Sequence, residues 1–166
     1  MKKSSWIVGT VFLIVLIIFG WWILSFGKAS IEPMTVSRVS TILESHRYQP
    51  VNCTETALAD NPGWDLTGCI KVDNGEIEFE FYEFESRDSA VDIYGSAYRY
   101  IRQNKMALPR RQLEARGSNY RMYWLEAGDN YAISMYVGTT AVYAFCDKEY
   151  ADELDSILYE MGYYDH

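Results

Sequence analysis

The stretch "EIEFEFYEFES" at residues 76–86 places five glutamates in eleven residues. A carboxylate row can ligate a cation, supply an acid/base pair, or face water. On one strand, Glu76, Glu78 and Glu80 share a face at an i to i+2 spacing of roughly 6.6–7 Å. A calcium ion takes oxygens at ~2.3–2.6 Å, so adjacent strand glutamates reach one ion only by bending together. No Asp-x-Asp-x-Asp-Gly loop accompanies them. Glycoside hydrolysis needs two carboxyls ~5–9.5 Å apart, one with a raised pKa. A solvated strand face offers no cause for such a shift. The row therefore reads as a polar outer face that discourages edge pairing. A carboxylate-dependent hydrolase or cation-binding protein using the Glu76–Glu85 strand is the rival reading.

A second constellation is basic. Residues 99–121 carry Arg99, Arg102, Lys105, Arg110, Arg111, Arg116 and Arg121 against Glu114 alone. Residues 147–165 are acidic, with seven carboxylates against Lys148. The basic stretch is either a solvated helix end and loop or a patch for an anionic partner. That partner would be lipid headgroups, an anionic surface polymer or an acidic protein face. Tyrosines add a third feature: "NYRMYW" at 119–124 places Tyr123 and Trp124 beside Arg121. The candidate binding set is Arg99, Arg102, Lys105, Arg110, Arg111, Arg116, Arg121, Tyr123 and Trp124, with no catalytic and no metal residue assigned.

Nucleophile and phosphate-loop motifs give no support: no Gly-x-Ser-x-Gly, HExxH or glycine-rich loop occurs, and the one Ser-x-x-Lys match, Ser25 to Lys28, closes the apolar run at 6–26. His46 and His166 are the only imidazoles, which supplies a histidine triad poorly. The reading is a non-enzyme without cofactor. Cys53, Cys69 and Cys146 lack zinc-ligand spacing. Cys53 and Cys69 could pair; buried free thiols are the favoured reading.

These groups need elements to hold them. Val36, Val39, Ile42, Leu43 and His46 form a helical stripe over 35–47. "CIKVDNGEIEFEFY" sets Asn74-Gly75 between alternating runs, a type I′ hairpin pattern. A two-residue loop there opposes Lys71 to Glu78 and Val72 to Ile77. The strand changes parity at Phe81-Tyr82, which implies a bulge or an end covered on both faces. Ala90, Tyr94, Ala97, Tyr98 and Ile101 mark a helix over 87–103, followed by a connector at 104–118. Strands are predicted at 119–126, 130–137 and 140–146. A last helix carries Leu154, Ile157 and Leu158, with Gly162 as its C-cap.

Residues 6–26, "WIVGTVFLIVLIIFGWWILSF", hold no charge and match the roughly 20 apolar residues of a membrane-spanning helix. A cleaved signal peptide is the rival, although its apolar region is ordinarily shorter. Lys2 and Lys3 precede the run, so the N-terminus is expected in the cytoplasm and the rest outside, as a single-pass signal-anchor in the cell membrane. Three of the 15 Lys and Arg residues and none of the 23 Asp and Glu lie in residues 1–28; the remainder carries 12 against 23, a net −11. Such a charge disfavours nucleic acid.

The expected fold class is α+β: an N-terminal transmembrane helix, then one mostly antiparallel sheet with order α-β-β-α-β-β-β-α and helices on one face. The organisation is a cytoplasmic tip at 1–5, the spanning helix at 6–26, a tether at 27–34 and an extracytoplasmic domain at 35–166. In layout the chain resembles uncharacterised bacterial extracytoplasmic domains tethered by one N-terminal transmembrane helix. That resemblance covers architecture; no motif carries it and no site residue transfers. The expected function is a membrane-anchored, extracytoplasmic, non-enzymatic binding domain. A structural subunit of a membrane complex is a further alternative.

Overall fold

The computed structural model describes residues 30–104 and 111–164. From Ile31 onward the chain forms one compact unit. Its elements are α1 (Val36–Ser45), β1 (Val51–Asn52), α2 (Thr54–Asp60), β2 (Leu66–Asp73), β3 (Ile77–Phe84), α3 (Arg87–Asn104), β4 (Arg111–Arg116), β5 (Tyr120–Ala127), β6 (Asn130–Val137), β7 (Thr140–Asp147) and α4 (Ala151–Glu160). One seven-stranded sheet runs in the order β1-β2-β3-β7-β6-β5-β4, with every neighbouring pair antiparallel.

Alternate residues of the central strands enter separate cores. Ile77, Phe79 and Phe81 of β3, Val142 and Ala144 of β7, and Ile133 and Met135 of β6 pack with Val39 and Leu43 of α1 and Leu154, Ile157 and Leu158 of α4. The other parity, including Tyr123, Leu125, Ala132 and Tyr143, packs with Tyr94 and Ile101 of α3. Because β6 and β7 bury both faces, their sequences read as near-continuous apolar runs.

The expected architecture is corrected on three counts. First, helices cover both sheet faces, α1 and α4 on one and α3 on the other. Second, the sheet has seven strands: β1 and β4 join it, and the order also gains α2. Third, no helix of the described residues is long and apolar enough to cross a membrane. The longest, α3, has 18 residues and carries Arg87, Asp88, Asp92, Arg99 and Arg102. The described fold thus contains no transmembrane helix, against the expected single-pass signal-anchor; residues 6–26 lie outside the described residues.

The β2–β3 hairpin also differs in register. Lys71 opposes Glu80, Val72 opposes Phe79 and Asp73 opposes Glu78, two residues from the expected pairing. A type I′ turn needs positive φ at both Asn74 and Gly75. Only Gly75 has it, at +84°. Asn74 instead turns its side chain inward. Its Oδ1 accepts hydrogen bonds from the Glu76 N–H at 3.0 Å and the Ile77 N–H at 2.9 Å. The turn thus moves one residue forward, onto Gly75-Glu76. A two-residue slip preserves parity, so the apolar set keeps its face.

The parity switch at Phe81-Tyr82 has a clear cause. β3 itself pairs with β7 without interruption, and the irregularity falls on β2 between Leu66 and Gly68. The end of β3 is covered on its second face: Phe84 packs with Leu66, Cys69 and Ala90, with Trp64 and Tyr82 against them. Cys53 and Cys69 form a disulfide, 5.2 Å between Cα atoms, which replaces the expected free thiols at those positions. Cys146 is free and buried.

Residues 31–36 lie along the sheet end. Asn119 Oδ1 accepts the Ile31 N–H at 3.0 Å, and the Tyr163 hydroxyl accepts the Met34 N–H at 2.8 Å. Glu83 Oε2 accepts the Val36 N–H at 2.9 Å, placing a carboxylate at the positive end of α1.

Candidate functional site

α3 begins with a side-chain cap. Ser86 Oγ accepts the Ser89 N–H at 3.2 Å, and Asp65 Oδ2 accepts the Ser86 N–H at 3.0 Å. This fixes the helix across β6, β7 and β3. Tyr94, Tyr98 and Arg102 then follow at four-residue intervals, one above the next on a single helix face.

That face meets the sheet in a run of four tyrosines, three of which carry a guanidinium. Tyr136 lies 5.6 Å from Tyr94, Tyr94 lies 6.0 Å from Tyr98, and Tyr98 lies 4.7 Å from Tyr123, all between ring centroids. Arg87 sits 5.5 Å from the Tyr136 ring centre, Arg121 5.8 Å from Tyr94 and Arg102 5.4 Å from Tyr98. Arg87 and Arg102 also donate to phenolic oxygens, of Tyr136 at 3.2 Å and Tyr98 at 2.8 Å. From Arg87 to Arg102, fifteen helical residues span roughly 22 Å. Cation–π attraction, joined for Arg87 and Arg102 by the bond to the phenol oxygen, holds each guanidinium in place while the arginine stays exposed.

Glu114 ties the surface together. It accepts from Arg121 Nη2 at 3.3 Å and from the Tyr98 hydroxyl at 3.4 Å. The Tyr94 hydroxyl is buried with no hydrogen-bond partner among the described residues. Burial, opposed by the Arg121 charge, pushes that phenol up to about 12.

The structure brings Arg102 and Arg121 of the expected set onto one surface, with Tyr123 buried against Tyr98. Arg116 opposes Arg121 across the β4–β5 pair. Arg99 is exposed on α3 and donates to Ser96 Oγ at 3.1 Å. Arg111 is exposed, 4.0 Å from Glu126. Trp124 does not join them: it faces the other side of the sheet, against Tyr131 at 5.6 Å. Neighbours on a strand point to opposite faces, so Tyr123 and Trp124 never share one. Lys105 and Arg110 lie outside the described residues. Arg87, Tyr94, Tyr98 and Tyr136 were missed; the Tyr94-Tyr98-Arg102 spacing was the available signal.

The glutamate row has a different centre. Lys71 Nζ lies 3.1 Å from Glu80, 3.5 Å from Glu78 and 3.8 Å from Asp73. Glu80 also accepts the Tyr82 hydroxyl at 2.7 Å, and Glu76 accepts from Asn74 Nδ2 at 3.2 Å. An ammonium thus occupies the position that a bound cation would take. No group of three or more His, Cys, Asp or Glu suited to a metal ion occurs among the described residues.

No family model matches the chain, and no curated protein matches it. Among solved structures, a GTP binding regulator from Thermotoga maritima is similar at 9% identity, over 80% of this chain and 90% of that chain, with a TM-score of 0.48. A likeness of that size carries no functional weight.

Proposed function

We propose that this is a non-enzymatic binding domain working in an oxidising, extracytoplasmic compartment. It takes an anionic partner on the surface built by α3, β4, β5 and β6. The row of guanidiniums in cation–π contact with Tyr136, Tyr94 and Tyr98 carries the reading. Each arginine is held by its ring before any ligand arrives, which reduces the ordering cost of binding. Against a net charge of −11 over residues 29–166, a local cluster of exposed arginines also steers anions to one face. The Cys53–Cys69 disulfide supports the compartment, because such bonds persist where the surroundings are oxidising.

Binding of the protein to polyglutamate, polyphosphate and anionic lipid vesicles, measured against ionic strength, tests this. At least one probe should bind and weaken as salt rises. The pair Arg102→Ala with Arg121→Ala should weaken it by about tenfold. No binding to any of the three, or equal binding by the double variant, would refute the reading.

A further inference from the structure

The open edge of the sheet offers a partner a way onto this surface: Gln112, Glu114 and Arg116 share the Arg121 face, and Arg111 and Leu113 share the Trp124 face. β4 ends the strand order and, among the described residues, pairs only with β5. Gly117 donates its N–H to the Tyr120 carbonyl at 3.0 Å, so that pair is hydrogen-bonded. Bonded and non-bonded pairs alternate along antiparallel strands. Ala115, Leu113 and Arg111 therefore spend their backbone groups on Met122, Trp124 and Glu126. Gln112, Glu114 and Arg116 turn their N–H and C=O groups outward. Leu113 is 49% exposed on the same edge, and the Arg111 side chain is 74% exposed.

We propose that β4 accepts an extended acidic peptide as an eighth, antiparallel strand. The proposal rests on the anionic-partner reading and gives that partner its chemistry. Main-chain bonds to Gln112, Glu114 and Arg116 supply the pairing, and alternate side chains supply the choice of partner. Acids fit opposite Arg111 and Arg116, and a β-branched apolar residue fits opposite Leu113. Glu114 does not repel such a strand strongly, because Arg121 and Tyr98 already hold its carboxylate. A second copy of the chain fits worse. Pairing two β4 strands along their length, with Gln112 opposite Arg116, sets Glu114 against Glu114 and leaves Arg111 opposite Gly117.

The test uses the full chain and a capped, fluorescent peptide, Glu-Val-Thr-Ile-Thr-Glu. The peptide should bind and slow amide hydrogen exchange at Gln112, Glu114 and Arg116. Glu114→Pro removes an outward N–H and no β4–β5 bond, a position where an edge strand tolerates proline. It should weaken binding by about tenfold, while Glu114→Ala retains most of it. If Glu114→Pro fails to fold, Arg111→Glu with Arg116→Glu should give the same loss. A peptide with lysine at both ends should bind about tenfold more weakly. Binding that spares the three amides and is indifferent to Glu114→Pro overturns strand addition, as does a dimer whose exchange protection falls on β4. If Arg102→Ala with Arg121→Ala then still weakens polyanion binding, the arginine surface stands without it.

Discussion

His46 Nδ1 lies 2.8 Å from Glu153 Oε1, and its Nε2 lies 3.1 Å from Glu160 Oε1. One imidazole at the end of α1 thus joins two turns of α4. The side chain is 12% exposed. Burial pulls its pKa down, but the hydrogen bonds and charges of the two glutamates outweigh this and hold it above the usual range.

That clamp makes stability depend on pH. The folded pKa exceeds the unfolded value of about 6.5. The stabilisation is therefore fully present below about pH 6.5 and is lost as pH rises through the folded value. Melting temperature should fall as pH rises above 6.5. His46→Gln should flatten that segment of the curve. A wild-type curve that is level there, or a variant with the same slope, would remove the clamp as its cause.

Lys71 holds Glu78 and Glu80 together on the α3 side of β3. Burial pulls its pKa down, yet Glu80 first, then Glu78 and Asp73, raise it overall. Lys71→Met leaves those carboxylates without their cation and should cost about 1 kcal/mol. Adding Glu80→Gln removes one of the unpaired charges and should restore part of the loss. Urea denaturation of both single variants and the double isolates the coupling; purely additive losses would show that the lysine acts through packing alone.

The sequence exposes those elements whose burial gives them a period. Alternation in Ile77-Phe79-Phe81 and the stripe Ala90-Tyr94-Ala97-Tyr98-Ile101 mark β3 and α3, and β5 to β7 lie within one residue of their expected bounds. β4 was hidden because "RQLEAR" is exposed at five of its six positions and has no apolar face to announce. α2 spans seven residues, too few for a helical period, and depends on the Cys53–Cys69 link and its packing on Leu66 and Phe84. The hairpin register turned on the Asn74 side chain, which a backbone turn rule does not weigh. The site shows the same limit. Its charge was visible in residues 99–121, but its stacking depends on Tyr136, which pairing with Ala141 and Arg121 brings beneath α3.

The Cys53–Cys69 bond fastens α2 and the short edge strand β1 to β2, closing a sequence separation of 16. The Thr54 hydroxyl reinforces the link by accepting the Cys69 N–H at 2.9 Å. Closing a loop of about this length removes unfolded-state entropy worth roughly 3 kcal/mol. Replacing both cysteines with alanine should lower stability by about that amount, read from the urea midpoint. Burial, then the charges of Asp155 and Asp147, push the Cys146 thiol up to about 12, so it stays protonated and unreactive in the native protein. Thiol titration should find none in the folded oxidised protein and one after denaturation without reductant. Three reactive thiols in denaturant would show that the bond is absent, and the compartment assignment resting on it would fall as well.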